Sequence, residues 1–363
     1  MKIKHLTEYR NRDVCQSLIG KIHTISQSKI RIMEVCGTHT MAISRNGIRQ
    51  VLPPNISLLS GPGCPVCVTA QNEIDKFIQL ARIENVIITT FGDLMRVPGS
   101  EGSLLQAKAD GADVRVVYSP FDSLEIAQNN PSGKVVFLGV GFETTAPTVA
   151  ATIKAAFDKK AHNFWVISAH KLVPPALETL LTNVDVKIDG FLCPGHVSVI
   201  IGAKAYEPIA KNYKIPCVIA GFEPTDILDS IAKLVELIET KKSVVDINYR
   251  RGVSHKGNPK ALSMIQTIFQ PVDAEWRGLG IIPGSGLEIR KEYEKFDANR
   301  EFNIAEQKRP EPKGCICGQI LTGIKIPPEC NLFGKKCIPE NPVGPCMVSS
   351  EGTCAAYFKY QAF

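Results

Sequence analysis

No stretch of this 363-residue chain approaches the roughly 20 consecutive apolar residues that a helix needs to cross a bilayer. The N-terminus, Met1-Lys2-Ile3-Lys4-His5, is charged and leads into polar residues instead of an apolar core. No secretory leader is therefore expected, and the expected location is cytoplasmic. Aromatic residues make up only 7% of the chain, and no dense Lys/Arg stripe interleaves with them. A net charge of +6 without such a stripe is not a nucleic-acid footprint; an acidic protein partner or small anions suit it equally. No G-x-x-x-x-G-K-[ST] occurs, and the run Gly278 to Gly284 has no clear helix after it, so no nucleotide site is assigned. Low-complexity segments and short-period repeats are also missing.

Cysteine is abundant. Six of the 12 cysteines fall in the tail from Gly314 to Tyr357: Cys315, Cys317, Cys330, Cys337, Cys346 and Cys354. That segment mixes Gly, Pro and Lys and has no long apolar run, so burial alone does not repay its ordering entropy. Disulfides, zinc or an iron–sulfur cluster must hold it. A cytosolic setting disfavours a plain disulfide scaffold. Zinc sites usually present paired C-x₂₋₄-C knuckles, whereas the tail has one C-x-C and then wide, uneven gaps. A cubane tolerates scattered thiolates, so iron–sulfur is the favoured reading over zinc or inert thiols. Either cofactor takes four ligands, and the two cysteines left over point to a dithiol or disulfide beside it.

The rest of the chain alternates helix and strand. Leu6 to Ser28 has an apolar stripe, Cys15, Leu18, Ile19, Ile22 and Ile25, at helical spacing. Strands are expected at Ile30 to Val35, Ile56 to Leu59, Val86 to Thr90, Val114 to Tyr118, Val135 to Val140, Phe164 to Ser168, Gly190 to Cys193 and Val218 to Ala220. Strands alternating with helices give βα units and parallel sheets. Turn chemistry at Asn129 to Gly133 sets the first expected boundary. Residues 1–131 and 132–285 are expected to form two similar parallel-sheet α/β domains facing a cleft. Residues 286–363 then form a small cysteine-rich iron–sulfur domain. Arg250 to Gly286, rich in Gly, Pro and charge, is expected to wrap back over the sheets. Gly141-Phe142-Glu143-Thr144 and Gly221-Phe222-Glu223 followed by Thr225 are either an echo of duplication or two similar turns.

Sites in open parallel sheets form beyond the carboxyl ends of the strands. Cys36, His39, Cys64, Cys67, Asp93, Glu143 and His196 all fall there. Cys36 precedes a helix, with His39 three residues on; a helix N-terminus and a nearby imidazolium both favour thiolate. Such a cysteine is a soft metal ligand or a nucleophile. Cys64-Pro65-Val66-Cys67 is the one C-x-x-C of the chain and reads as a redox dithiol or an iron-binding pair. His39 and His196 are candidate bases, ligands or donors. His5, His23, His162 and His255 read as structural, Cys15 and Cys217 as core, and Cys193 as either.

Cys36-Gly-Thr-His-Thr, Gly61-Pro-Gly-Cys-Pro-Val-Cys67, Gly141-Phe-Glu-Thr-Thr-Ala-Pro147, Pro194-Gly-His-Val-Ser198 and Pro345-Cys-Met-Val-Ser-Ser-Glu-Gly-Thr-Cys354 resemble the HypD family. The resemblance runs from about Ile30 to the C-terminus. It implies a scaffold of [NiFe]-hydrogenase maturation on which Fe(CN)₂CO is assembled, with a HypC-type chaperone and a HypE-type cyanide donor as partners. By position, Cys36 is implied to hold the iron, with Cys64 and Cys67 as the dithiol beside it. Cys315, Cys330, Cys337 and Cys354 are implied to bind a [4Fe–4S] cluster, and Cys317 and Cys346 to form a redox disulfide. Electrons are implied to pass from cluster through the thiol pairs to Cys36. The alternative is a stand-alone iron–sulfur dithiol oxidoreductase.

Overall fold

In a computed structural model the described residues are 8–304 and 311–360. His5 and the first residues of the expected N-terminal helix lie outside them. Eleven strands are described: β1 (Ile30–Glu34), β2 (Ile56–Ser60), β3 (Val86–Thr90), β4 (Asp113–Val116), β5 (Lys134–Gly141), β6 (Phe164–His170), β7 (Gly190–Pro194), β8 (Cys217–Ala220), β9 (Val245–Ile247), β10 (Phe269–Trp276) and β11 (Gly280–Ile289). One sheet has the order β2-β1-β7-β8-β9, a second β4-β3-β5-β6, and β10-β11 is a separate hairpin. Both larger sheets are parallel throughout. Helices cover their faces, so the strands read as apolar runs without alternation; Val135, Val136, Phe137 and Leu138 of β5 are all fully buried. The α/β class and all eight expected strands are present.

The domain boundaries differ from expectation. The chain lays down β1 and β2, leaves to build the whole second sheet with β3 to β6, and returns to the first with β7 to β9. β3 pairs with β5 across residue 131, with Val86 opposite Lys134. The other expected boundary, at 285, falls inside β11. Asn130 to Gly133 is a turn within the second sheet. Turn chemistry marks a reversal but does not specify which sheet the next strand joins.

This order creates two switch points. In the first sheet β2 and β7 lie on opposite sides of β1, so the loops after β1 and β7 flank one crevice. In the second sheet the loops after β3 and β5 flank another. Cys36 and His196 belong to the first crevice, Asp93 and Glu143 to the second.

The hairpin β10–β11 was hidden in the Gly- and Pro-rich stretch. Pro271 and Pro283 sit in a two-stranded ribbon, where Pro is tolerated because each strand has an open edge. The tail does not form a core of its own. Cys317, Cys346, Met347 and Tyr357 belong to the same buried cluster as Met33, Cys64, Ile88, Val136 and Trp276. Gly323 lets the tail lie on the first sheet, since a Cβ there would stand 2.7 Å from Met33 Cε. The N-terminal helix runs Arg12–Ile25, shorter than expected, because the Asn11 side chain caps it by accepting from the Asp13 and Val14 amides. Its stripe packs on the helix Pro224–Glu239. Among the described residues no helix is long and apolar enough to cross a membrane.

Candidate functional site

Cys36 ends β1 and caps the helix Gly37–Arg45. It is buried, and burial pushes its thiol up to about 12, with the nearby Glu351 carboxylate adding to the rise. Hydrogen bonds from the His39 and Thr38 amides pull the other way, as the helix N-terminus predicts. Desolvation outweighs them, so the resting group is a thiol, contrary to the thiolate expected from sequence. The imidazolium expected to help is also missing. His39 is fully buried, and burial holds it down to about 4. Its neutral ring donates from Nε2 to the Gly221 carbonyl at 2.9 Å and leaves Nδ1 buried without a partner.

Phe222 links the two histidines: His196 stacks on it at 3.9 Å between centroids, and His39 meets it at 4.9 Å. Phe222 follows β8, and its counterpart Phe142, in the matching turn after β5, stacks on Trp276. Each Gly-Phe-Glu turn thus inserts its Phe beneath a crevice. The tail closes over Cys36 through Glu351, which accepts from Thr38 Oγ1 at 2.5 Å. Gly37 is required there, because a Cβ would stand 2.5 Å from Glu351 Cβ. Glu351 belongs to the tail motif and Phe222 to the repeated Gly-Phe-Glu turn, but neither motif signals a contact with the Cys36 loop.

Cys64 and Cys67 form a disulfide on the short helix Pro65–Val68. The loop before it touches the Cys36 loop, with the Gly37 amide donating to the Gly63 carbonyl at 2.9 Å. On the other side the Cys67 sulfur lies 4.0 Å from the Pro345 carbonyl, next to Cys346. Cys346 and Cys317 are both buried free cysteines, with sulfurs 2.7 Å apart. All six tail cysteines line one apolar cavity with Ile320, Leu332, Phe333 and Met347. The Val343 amide donates to the Cys337 sulfur at 3.3 Å. Burial, then the crowding of Cys317, Cys337, Cys315 and Cys330, pushes the Cys354 thiol well up. The structure therefore brings Cys36, His39, His196, the 64/67 disulfide and the tail thiols into one contiguous region.

Asp93 joins the edge of this region by accepting from Ser349 Oγ at 2.8 Å. Glu143 does not join it. Its Oε1 accepts from the Val173 amide at 2.9 Å, at the start of the helix Val173–Thr182, and its Oε2 is buried without a partner. Burial pushes this carboxyl up to about 7. A raised acid favours folding while protonated, so this stability is full below about 4.5 and is lost as pH rises through about 7. Glu143→Gln keeps the Val173 bond and should remove about 3 kcal/mol of that pH dependence. Denaturant melts of both proteins at pH 5 and pH 8 check this. Cys193 and Cys217 are fully buried on neighbouring strands and belong to the core.

The fold and site thus define an α/β protein organised around clustered cysteine sulfur, with a lone cysteine, a disulfide and a six-thiol cavity in sequence. The family model described as "HypD: Hydrogenase formation hypA family" matches residues 13–361. The hydrogenase maturation factor HypD of Escherichia coli is 45% identical over 367 residues, covering 99% of this chain and 98% of its own. Those of Cupriavidus necator and Azotobacter vinelandii are 43% and 44% identical, each covering 99% of this chain and 98% and 97% of their own. The chain belongs to the HypD family of hydrogenase maturation factors.

Proposed function

We propose that this chain is the scaffold on which the Fe(CN)₂CO unit of a [NiFe]-hydrogenase is assembled, with iron held as cargo on Cys36. A HypC-type chaperone supplies a second thiolate to that iron, and a HypE-type partner brings cyanide bound to sulfur. The observation that supports this most directly is the chain of neighbours from the Cys36 loop to the 64/67 disulfide to the Pro345 carbonyl beside Cys346. A buried neutral thiol at Cys36 releases its proton when metal displaces it, and the soft thiolate then suits low-valent iron.

Cleaving cyanide from sulfur takes two electrons. The dithiol form of Cys64 and Cys67 supplies them: the S–CN bond breaks, cyanide leaves to iron, the carrier sulfur takes one thiol proton, the other is released to solvent, and a Cys64–Cys67 bond forms. The disulfide present here is the spent state of that step. Returning it to the dithiol is the task read for Cys317 and Cys346.

The cavity fits a [4Fe–4S] cluster by its donors: Cys315, Cys330, Cys337 and Cys354, apolar walls, and an amide aimed at one sulfur. When bound, such a cluster supplies electrons singly. Anaerobic protein should contain roughly four iron and four sulfide per chain, and Cys354→Ser should lose most of both; zinc in their place would sink the assignment. Infrared spectra of the complex with a HypC-type partner should show cyanide and carbonyl stretches. Their absence under reducing conditions would leave a stand-alone iron–sulfur dithiol oxidoreductase.

A further inference from the structure

Arg277 stands in the turn between β10 and β11, where nothing in the sequence marked it. It is 2% exposed, a rare condition for an arginine. Its Nε donates to the Thr69 carbonyl at 3.1 Å, and both terminal nitrogens donate to Gln71 Oε1 at 3.2 and 3.3 Å. Its own amide donates to the Val68 carbonyl at 2.9 Å. Every one of these acceptors lies within four residues after Cys67. Glu311, at 3.7 Å, is the nearby carboxylate.

The same turn meets the tail. Gly278, with φ +77°, approaches Gly318 so closely that a Cβ would stand 2.3 Å from its Cα. Gly318 directly follows Cys317. One turn thus grips the backbone after the disulfide and the backbone beside the tail pair.

We infer that Arg277 is the positioning residue that holds the Cys64/Cys67 segment in register with the Cys317/Cys346 pair, so that one pair can reduce the other. This rests on the relay read above. The step is a thiol–disulfide exchange. The Cys346 sulfur attacks Cys67, the Cys64–Cys67 bond breaks, and Cys64 takes up a proton. Cys317 then attacks Cys346 and frees Cys67. Two electrons and two protons pass from one pair to the other, with no outside reagent. Such an attack needs its sulfurs aligned, and misplacement by about 1 Å can cost on the order of a hundredfold in rate. A planar fork fixes two acceptors at once in a set geometry, which the rotatable donors of a lysine ammonium do not impose.

The test uses the full chain, purified anaerobically with both pairs oxidised and fed electrons by photoreduced deazaflavin. Timed alkylation and peptide mass mapping follow the thiols of each pair. Wild type should reduce Cys64/Cys67 through the tail pair, so Cys346→Ser should slow it. Arg277→Gln and Arg277→Lys should slow it by about tenfold or more while Cys317/Cys346 still reduces. Gln71→Leu, which removes an acceptor but keeps the cation, should act in the same direction and serves if the Arg277 variants misfold. Lys171→Met is the structural control: it breaks the buried pair of Lys171 with Glu73, at 2.9 Å, on the same helical turn. It should lower stability without slowing transfer. If Cys346→Ser leaves the rate unchanged, the relay falls and this inference with it. If Cys346→Ser slows transfer but Arg277→Gln does not, or Lys171→Met slows it equally, the inference alone is overturned.

Discussion

Cys36→Ala should reduce hydrogenase maturation to the level of a strain without the gene. Cys36 is a small buried side chain at a strand end, so trimming it to alanine costs about 1 kcal/mol and leaves the chain folded. The loss should therefore be chemical, through the missing sulfur. Two controls separate it from a general effect of removing thiols. Cys217→Ala, in the first sheet's core, and Cys15→Ala, on the N-terminal helix, should keep activity within about twofold. The measurement is hydrogenase activity in a complemented deletion strain, with circular dichroism of each variant. Normal maturation by Cys36→Ala would rule out iron held on this sulfur. Burial also makes uptake of iron pH-dependent. A thiol pushed up to about 12 resists losing its proton, so uptake should strengthen as pH rises from 6 to 8.

Gly63→Ala should destabilise the chain by about 3 kcal/mol, the upper range for overpacking. A Cβ at Gly63 would stand 2.2 Å from the Cys36 nitrogen and 2.5 Å from its Cα. Both are backbone atoms, anchored by β1 and by the Gly37–Gly63 hydrogen bond, so neither can yield as a side chain does. The two sulfur-bearing loops would have to part, and maturation should fall with stability. Gly20→Ala gives the contrast. Gly20 lies exposed in the N-terminal helix with nothing within 4 Å of a new Cβ, so it should stabilise by about 0.5–1 kcal/mol. Melting both variants against wild type checks the pair. Equal stabilities would mean the loops are not in the close approach described here.

Periodicity located eight of the nine strands of the two parallel sheets, because most of them are apolar runs closed by Gly, Pro or Cys. It missed the three-residue edge strand β9 and the pair β10 and β11, whose pattern is broken by Pro271, Pro283 and several glycines. Motifs at strand ends put forward Cys36, Cys64, Cys67 and His196, because loops at those ends are where parallel sheets open. Glu143, put forward by the same rule, lies apart from them. It sits at a strand end, but its carboxyl turns inward to cap the helix Val173–Thr182. Strand-end position fixes where a residue starts, and side-chain direction depends on which neighbour offers an unpaired amide. The charge states of Cys36 and His39 were misjudged similarly. Helix dipole and charge spacing are local and visible, whereas desolvation depends on what the rest of the chain lays on top.

Local chemistry alone therefore determined the α/β class, the positions of eight of the eleven described strands, the thiol inventory and the family to which the chain belongs. Pairing across more than 150 residues, as between Ile32 and Gly190, decided which strands share a sheet. Only that long-range pairing put Arg277 behind the disulfide, Phe222 between two histidines and Glu351 over Cys36. Contacts of this kind arise when distant segments share one buried volume, and no short stretch of sequence encodes which segments those are.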